Sequence, residues 1–261
     1  VYNVLDKSMI ALITQNDAEV AYYEQAQKVI KMALAIPTAV GTVMLPRIAS
    51  MHGAGKDGQI KDYLDISMRF VCMVSFPLCF GVIGIAKDFV PWFFGPGYEK
   101  VYHNFLVIAP IIVCVGMSNV LGVQYLLPMG RQNDYTKSVI TGTVVNFVCN
   151  AVLIPRFLSI GAAIGSVIAE ISVTVTQLII LKREFSIREI FRGIYKYCIG
   201  GIIMETAILL YSGNAGVQGA EATIAEVMIG VFVYGIYLII IRDNLVVGQI
   251  HKLINRLSIR K

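Results

Sequence analysis

Residues 138–181 read SVITGTVVNFVCNAVLIPRFLSIGAAIGSVIAEISVTVTQLIIL, and across this stretch only Arg156 and Glu170 carry a charge. Pro155 and Arg156 divide it into two apolar blocks, 138–154 and 160–181, each near the roughly 20 residues that cross a hydrocarbon core of about 30 Å. Two such blocks joined by a short polar break predict a pair of membrane helices, because a chain in lipid must satisfy its own backbone hydrogen bonds. The same pattern runs outward in both directions, with further blocks at 1–14, 22–45, 68–86, 105–127, 194–211 and 223–241. The reading is an all-α, polytopic transmembrane helical bundle of about eight membrane helices.

Composition agrees. The chain of 261 residues is 56% hydrophobic and 15% charged, with a mean hydropathy of +0.69, against roughly 25% charged in a soluble domain. A water-soluble enzyme is thereby excluded. The first block begins without Met, a basic flank or a small-residue cleavage site, so it reads as neither a signal peptide nor a natural start but as a helix cut by the edge of a fragment. Pro37, Pro77 and Pro110 fall inside blocks, where neighbouring helices can re-satisfy the freed carbonyls and kinks are expected. Aromatics crowd 87–102 around Pro91, Gly95, Pro96 and Gly97, which suits a membrane interface and predicts no continuous helix there.

Basic residues alternate in the breaks. Those after even-numbered blocks hold Arg47, Lys56, Lys61, Arg131, Lys137, Lys182, Arg183, Arg188, Arg192, Arg242, Lys252, Arg256, Arg260 and Lys261; the others hold Lys87, Lys100 and Arg156. By the positive-inside rule the first set, with the C-terminus, is cytoplasmic. Residues 242–261 place Val246, Ile250, Leu253, Ile254 and Leu257 on one helical face, with Lys252 and Arg256 off it. That pattern predicts a basic amphipathic tail on the anionic membrane lipids of the cytoplasmic leaflet. The net charge of +5 thus has a membrane explanation, and no nucleic acid partner is called for.

Catalytic chemistry finds no support. Cys72, Cys79, Cys114, Cys149 and Cys198 lie in apolar blocks without metal-type spacing, and His52, His103 and His251 are scattered. No phosphate loop of the GxxxxGK[ST] kind occurs. The expectation is a non-enzyme with neither metal nor cofactor.

Ionisable residues inside apolar blocks are the functional candidates, since each is expensive in lipid. Glu24, Gln27, Lys28, Lys31, Thr38 and Thr42 fall on one side of a helical wheel. Lys31 lies roughly 13 Å along the helix from Tyr22, at about 1.5 Å per residue. One reading is a water-filled cavity with cationic groups for an anionic substrate, to which Asp6 and Lys7 could contribute, although neighbours diverge by about 100° and cannot face the same way. The other is a Glu24–Lys28 ion pair with Lys31 snorkelling to the interface. Glu170, in the middle of the sixth block, suits a proton or cation carrier, or equally a hydrogen bond joining two helices. Glu205 and Glu226 stand at similar depth across the last hairpin and read as structural. Asn146 with Asn150, and Gly161 with Gly165, have the four-residue spacing of helix packing.

Several stretches resemble the polysaccharide-repeat-unit flippases of the Wzx type, within the multidrug/oligosaccharidyl-lipid/polysaccharide exporter superfamily. They are VYNVLDKSMI at 1–10, VAYYEQAQK at 20–28, GTVMLPR at 41–47, and Asn146 to Pro155 followed by GAAIGSVIAE at 161–170. Members of that superfamily carry two helical lobes around a central cavity. The resemblance implies that this chain is the C-terminal lobe of a two-lobed transporter, with a six-helix bundle at 1–181, two trailing helices at 182–241 and the tail at 242–261. It further implies alternating-access translocation of oligosaccharide repeat units linked to undecaprenyl diphosphate across the bacterial cytoplasmic membrane, for capsule, O-antigen or exopolysaccharide. A polymerase and glycosyltransferases would be its partners. By that analogy Lys28, Lys31, Lys7 and Gln27 line the cavity and attract the diphosphate or acidic sugars, while Glu24, Asp6 or Glu170 couple the cycle to ion movement. A cation-coupled multidrug exporter and a nontransporting scaffold for polysaccharide-assembly enzymes are the alternatives.

Overall fold

The computed structural model describes residues 2–186, 190–243 and 245. Its helices, in chain order, are α1 (Tyr2–Thr14), α2 (Asp17–Gly53), α3 (Asp57–Phe94), α4 (Glu99–Ile108), α5 (Ile111–Ser118), a π-helix (Asn119–Leu126), α6 (Gln132–Leu181), α7 (Tyr195–Asn214) and α8 (Ala220–Ile240). Over the described residues, every apolar block of the sequence falls within these helices apart from turns at 109–110, 127, 194 and 241. By length and composition, five segments among the described residues can cross a membrane. The amphipathic tail lies outside the described residues, apart from its first few positions.

Helix boundaries follow local chemistry. Asn16 caps α2, its side-chain oxygen accepting the Ala18 amide at 3.0 Å, and Asp17 and Glu19 place negative charge at the positive end of the helix dipole. The aromatic segment is interrupted as expected, and its break is short. α3 continues through Pro91 to Phe94, so the helical break is confined to Gly95–Tyr98, where Gly95 and Gly97 take φ of 81° and 92°. Proline inside the helix is tolerated there, whereas left-handed φ is what stops it. Pro110 instead marks the point between α4 and α5 where the fourth block bends.

At 50 residues α6 would be about 75 Å long, far more than one membrane crossing needs. It is a hairpin, reversed at Leu158, whose φ of 54° and ψ of −131° are not helical. The antiparallel register shows in three contacts stepping away from the turn. Gly161 lies against the backbone of Leu153, Gly165 against the Asn150 side chain, and the Gln177 amide nitrogen donates to Ser138 Oγ at 3.3 Å. At Gly161 a Cβ would sit 2.5 Å from the Leu153 carbonyl oxygen, so the two halves approach as only glycine allows.

The unfavourable backbone at Leu158 is pinned by its neighbour. The buried Glu19 carboxylate accepts both the Ser159 amide (3.2 Å) and Ser159 Oγ (2.6 Å), and also takes Lys100 Nζ at 2.6 Å. This knot joins the start of α2, the start of α4 and the α6 turn at one end of the bundle. At the opposite end Arg131 pairs with Asp134 (2.8 Å) and with Glu184, which also accepts the Tyr125 hydroxyl at 2.7 Å. Arg69 pairs with Asp65 at 3.0 Å. Burial opposes charge on the Arg131 guanidinium, but its two carboxylate partners outweigh that and raise its pKa. The basic breaks with described residues therefore collect at one end, as their alternation requires.

Two apolar clusters fill the interior. One gathers Met9, Tyr23, Ile30, Phe105, Ile112 and Ile154; the other gathers Ile60, Met68, Leu121, Tyr197, Met204 and Tyr234 and ties α7 and α8 onto α3. Glu226 lies with Asp88 of α3 and Ser212 of α7, the Ser212 hydroxyl donating to Asp88 at 2.5 Å. Because Leu153 offers backbone at Gly161, Gly161→Ala should lower stability by about 1–3 kcal/mol. Gly213→Ala, which meets nothing within 4 Å, should not; thermal unfolding of the detergent-solubilised protein measures the difference.

Candidate functional site

α1 and α2 form a short hairpin through Gln15, at φ 50°, and that turn fixes which residues of the two helices meet. Lys7 of α1 reaches Glu24 of α2 at 2.8 Å, and Lys28, one turn further along α2, approaches the same carboxylate oxygen at 3.6 Å. Lys28 is 58% exposed. Lys31 is also exposed, and no carboxylate pairs with it among the described residues. The group Lys7, Glu24, Lys28 and Lys31 therefore carries two surplus positive charges, Lys7 from α1 and the others from α2.

α2 is also the least buried of the membrane-length segments, with 17% of its most apolar window inside the bundle. Its exposed face continues through Met32, Ile36 and Val43. Ammonium groups on such a face are costly against hydrocarbon, and they are accommodated only where water or further protein covers them.

The expected polar stripe needs two corrections. Gln27 does not share the face of Lys28: as sequence neighbours they diverge by about 100°, and Gln27 is 5% exposed with its amide nitrogen on the Tyr23 hydroxyl at 2.7 Å. Thr38 and Thr42 donate to the carbonyls of Leu34 and Ala39, both at 2.7 Å, so their hydroxyl protons serve their own helix. What faces outward is a cluster of charges, not a continuous polar lane.

Asp6 points the other way from Lys7 and is fully buried. Its Oδ2 accepts the Tyr23 hydroxyl at 2.5 Å and Ser166 Oγ at 2.9 Å, while Oδ1 accepts the Asn150 amide at 2.6 Å. Asn150 also donates to Asn146 at 3.4 Å. One carboxylate thus draws α1, α2 and both halves of α6 together through neutral donors. The Asn146–Asn150 and Gly161–Gly165 spacings signalled helix packing here, but Tyr23 and Ser166 carry no pattern that marks them in sequence. Glu170 lies elsewhere, at a cavity between α5, the π-helix and the two halves of α6.

A family model described as "Lipid II flippase MurJ" matches residues 9–237. The chain belongs to the MurJ lipid II flippase family. It is 20% identical over 234 residues to a protein of Haloferax volcanii named as a flippase of low-salt glycan biosynthesis, Agl15, covering 89% of this chain and 49% of that one. A protein of Escherichia coli K12 named as an O-antigen transporter is 26% identical over 141 residues, 53% of this chain and 33% of its own. The fold is similar to a solved structure of lipid II flippase MurJ in an inward closed conformation, with a TM-score of 0.74 at 15% identity, over 93% of this chain and 53% of that one. The chain thus spans about half the length of the haloarchaeal relative. It is a multi-pass membrane protein with a MurJ-like fold, as its resemblance to lipid-linked oligosaccharide flippases implies.

Removing one donor leaves the buried Asp6 carboxyl group short of a hydrogen bond. Asn150→Leu should therefore destabilise the protein by about 2–3 kcal/mol, with much of that penalty relieved when Asp6→Asn is added. A double-mutant cycle on thermal unfolding reads the coupling.

Proposed function

We propose that the protein of which this chain forms a lobe translocates oligosaccharides linked to undecaprenyl diphosphate across the cytoplasmic membrane for surface polysaccharide assembly. It works by alternating access and not by covalent catalysis. The observation that carries this reading is the surplus positive charge where Lys7 of α1 and Lys28 of α2 share the single Glu24 carboxylate and Lys31 stands exposed further along α2. A diphosphate is the group such a face attracts, with each ammonium acting as a point charge. In a two-lobed transporter that face borders a central cavity, where water keeps the lysines charged. Glu24 orients Lys7 and Lys28 and keeps the site from carrying all three charges unopposed, so the substrate can both bind and leave.

In this reading the basic end of the bundle and the C-terminus face the cytoplasm, which the positive-inside rule favours; glycosyltransferases assemble the lipid-linked sugars there, and the transporter delivers them to a polymerase outside. Of the three carboxylates expected to couple transport to ion movement, Glu24 is engaged by two lysines and Asp6 by three hydrogen-bond donors. Glu170 is the one left for an exchangeable ligand.

In the full-length protein, Lys28→Gln with Lys31→Gln should lower flipping about tenfold, the factor that about 1.4 kcal/mol of lost attraction produces, while the two Lys→Arg changes should retain most of it. Accumulated lipid-linked intermediates and surface polysaccharide are the readouts, and unchanged levels would sink the anion-cavity reading. Orientation has its own test. A cysteine replacing Lys56 should react with a membrane-impermeant maleimide only in inverted vesicles.

A further inference from the structure

A cavity of about 330 Å³ opens at the basic end of the bundle, walled by the first turns of α3, the π-helix, the end of α6 and residues between α6 and α7. Its floor is apolar, with Met68, Leu121 and Leu181 all buried. Its rim carries both signs of charge: Lys61, Arg69 and Arg192 against Asp62, Asp65 and Glu184.

Half of these charges are already engaged. Asp65 holds Arg69 at 3.0 Å, and Glu184 takes Arg131 and the Tyr125 hydroxyl. Lys61 lies over the Phe185 ring at 5.6 Å, a contact that leaves its ammonium charge unneutralised. Among the described residues no ion pair reaches Lys61, Asp62 or Arg192, and all three are exposed. The mouth of the cavity thus offers two cations and one carboxylate for a ligand.

The depth of the cavity says what lies alongside it. Met68 opens the apolar block of α3, and the helix from Asp62 to Arg69 covers about 10 Å across that edge, the level at which hydrocarbon gives way to headgroups. Ile66 and Phe70, next in sequence to the lining residues Asp65 and Arg69, are exposed at 51% and 39%. The α3 wall of the cavity therefore runs directly into an apolar strip that faces the bilayer.

We propose that this cavity binds the headgroup of a zwitterionic phospholipid bearing a primary ammonium, with its phosphate on Lys61 and Arg192 and its ammonium on Asp62. The ligand class follows from the signs of the charges. A headgroup with several negative charges would meet Asp62, Asp65 and Glu184 as well as the cations, and a purely cationic ligand would meet Lys61 and Arg192. A single phosphodiester with an amine arm gives each unpaired group its complement, and the Arg192 guanidinium can grip two phosphate oxygens at once. A quaternary ammonium has no N–H to donate to Asp62, so ethanolamine fits better than choline. At about 30 Å³ per water the cavity has room for roughly ten waters, which suits one headgroup while the acyl chains stay outside along Ile66 and Phe70. Such a lipid would bridge α3 to the connection that leads into α7 and fasten the trailing helices to the bundle. The binding rests neither on the flippase reading nor on which leaflet the basic end faces.

The test uses the delipidated full-length protein in detergent, titrated with phosphatidylethanolamine, phosphatidylcholine or phosphatidylglycerol, with the thermal unfolding temperature as readout. Phosphatidylethanolamine should raise that temperature most and half-saturate at about a tenfold lower mole fraction than either of the others. Asp62→Asn should erase its advantage over phosphatidylcholine, and Lys61→Gln combined with Arg192→Gln should move half-saturation about tenfold upward. Free phosphoethanolamine, which has the charges but not the chains, should have no effect at the same concentration; an equal effect would overturn the lipid assignment. Equal responses to the three lipids, a stronger response to phosphatidylglycerol, or a wild-type preference in both variants would overturn the proposal. If Asp62→Asn does not fold, an unchanged titration in the doubly substituted variant overturns it instead.

Discussion

The bundle depends on a carboxyl group that water cannot reach. Asp6 is fully buried, and its two oxygens accept hydrogen bonds from Tyr23, Ser166 and Asn150, which is what makes so polar a group tolerable in the interior. Those three donors come from α2 and from both halves of α6. Sequestering Asp6 in the interior obliges Lys7, its neighbour, to emerge on the other side of α1, where it meets Glu24. The cationic cluster on the outside and the neutral network on the inside are thus two faces of the same short helix.

Much of this architecture could be read from periodicity and charge. The alternation of basic breaks matches the gathering of Lys61, Arg131, Lys137 and Arg192 at one end, and the glycines at 161 and 165 mark where the α6 halves meet. Other features escaped because they depend on angles finer than a wheel resolves. Gln27 belongs inside and Lys28 outside, although they are adjacent, and only the packing of Tyr23 against Asp6 decides the boundary. The extension of α3 past Pro91 was hidden for a different reason: proline is a strong break signal in water, yet within a packed membrane helix a glycine at left-handed φ is the stronger one. The partners of Glu226 are remote in sequence, on α3 and α7, and no local pattern points to them.

Electrostatically the lobe is divided. One surface offers ammonium groups around a single carboxylate, and the cavity at Glu170 offers one carboxylate among neutral polar groups. Opposite charges are kept apart by α2 and the π-helix, whose contact at Gly41 and Asn119 leaves no room for a side chain between them. The proposed function makes such a separation intelligible, since a transporter of anionic lipids would gain from holding substrate-attracting charge away from any group that would neutralise it.

The reversal at Leu158 has a mechanical meaning. With no loop between its arms, the α6 hairpin has no slack. Shifting one arm by a single residue, about 1.5 Å, would set the Leu153 backbone against Ile160 or Ala162 in place of Gly161, and Asn150 against Ile164 or Ser166 in place of Gly165. Lengthwise slip is therefore blocked at two heights. The hairpin can tilt or rotate only as a unit, like a stiff two-legged strut, and any change of access at its edges must be taken up at the joints between it and its neighbours.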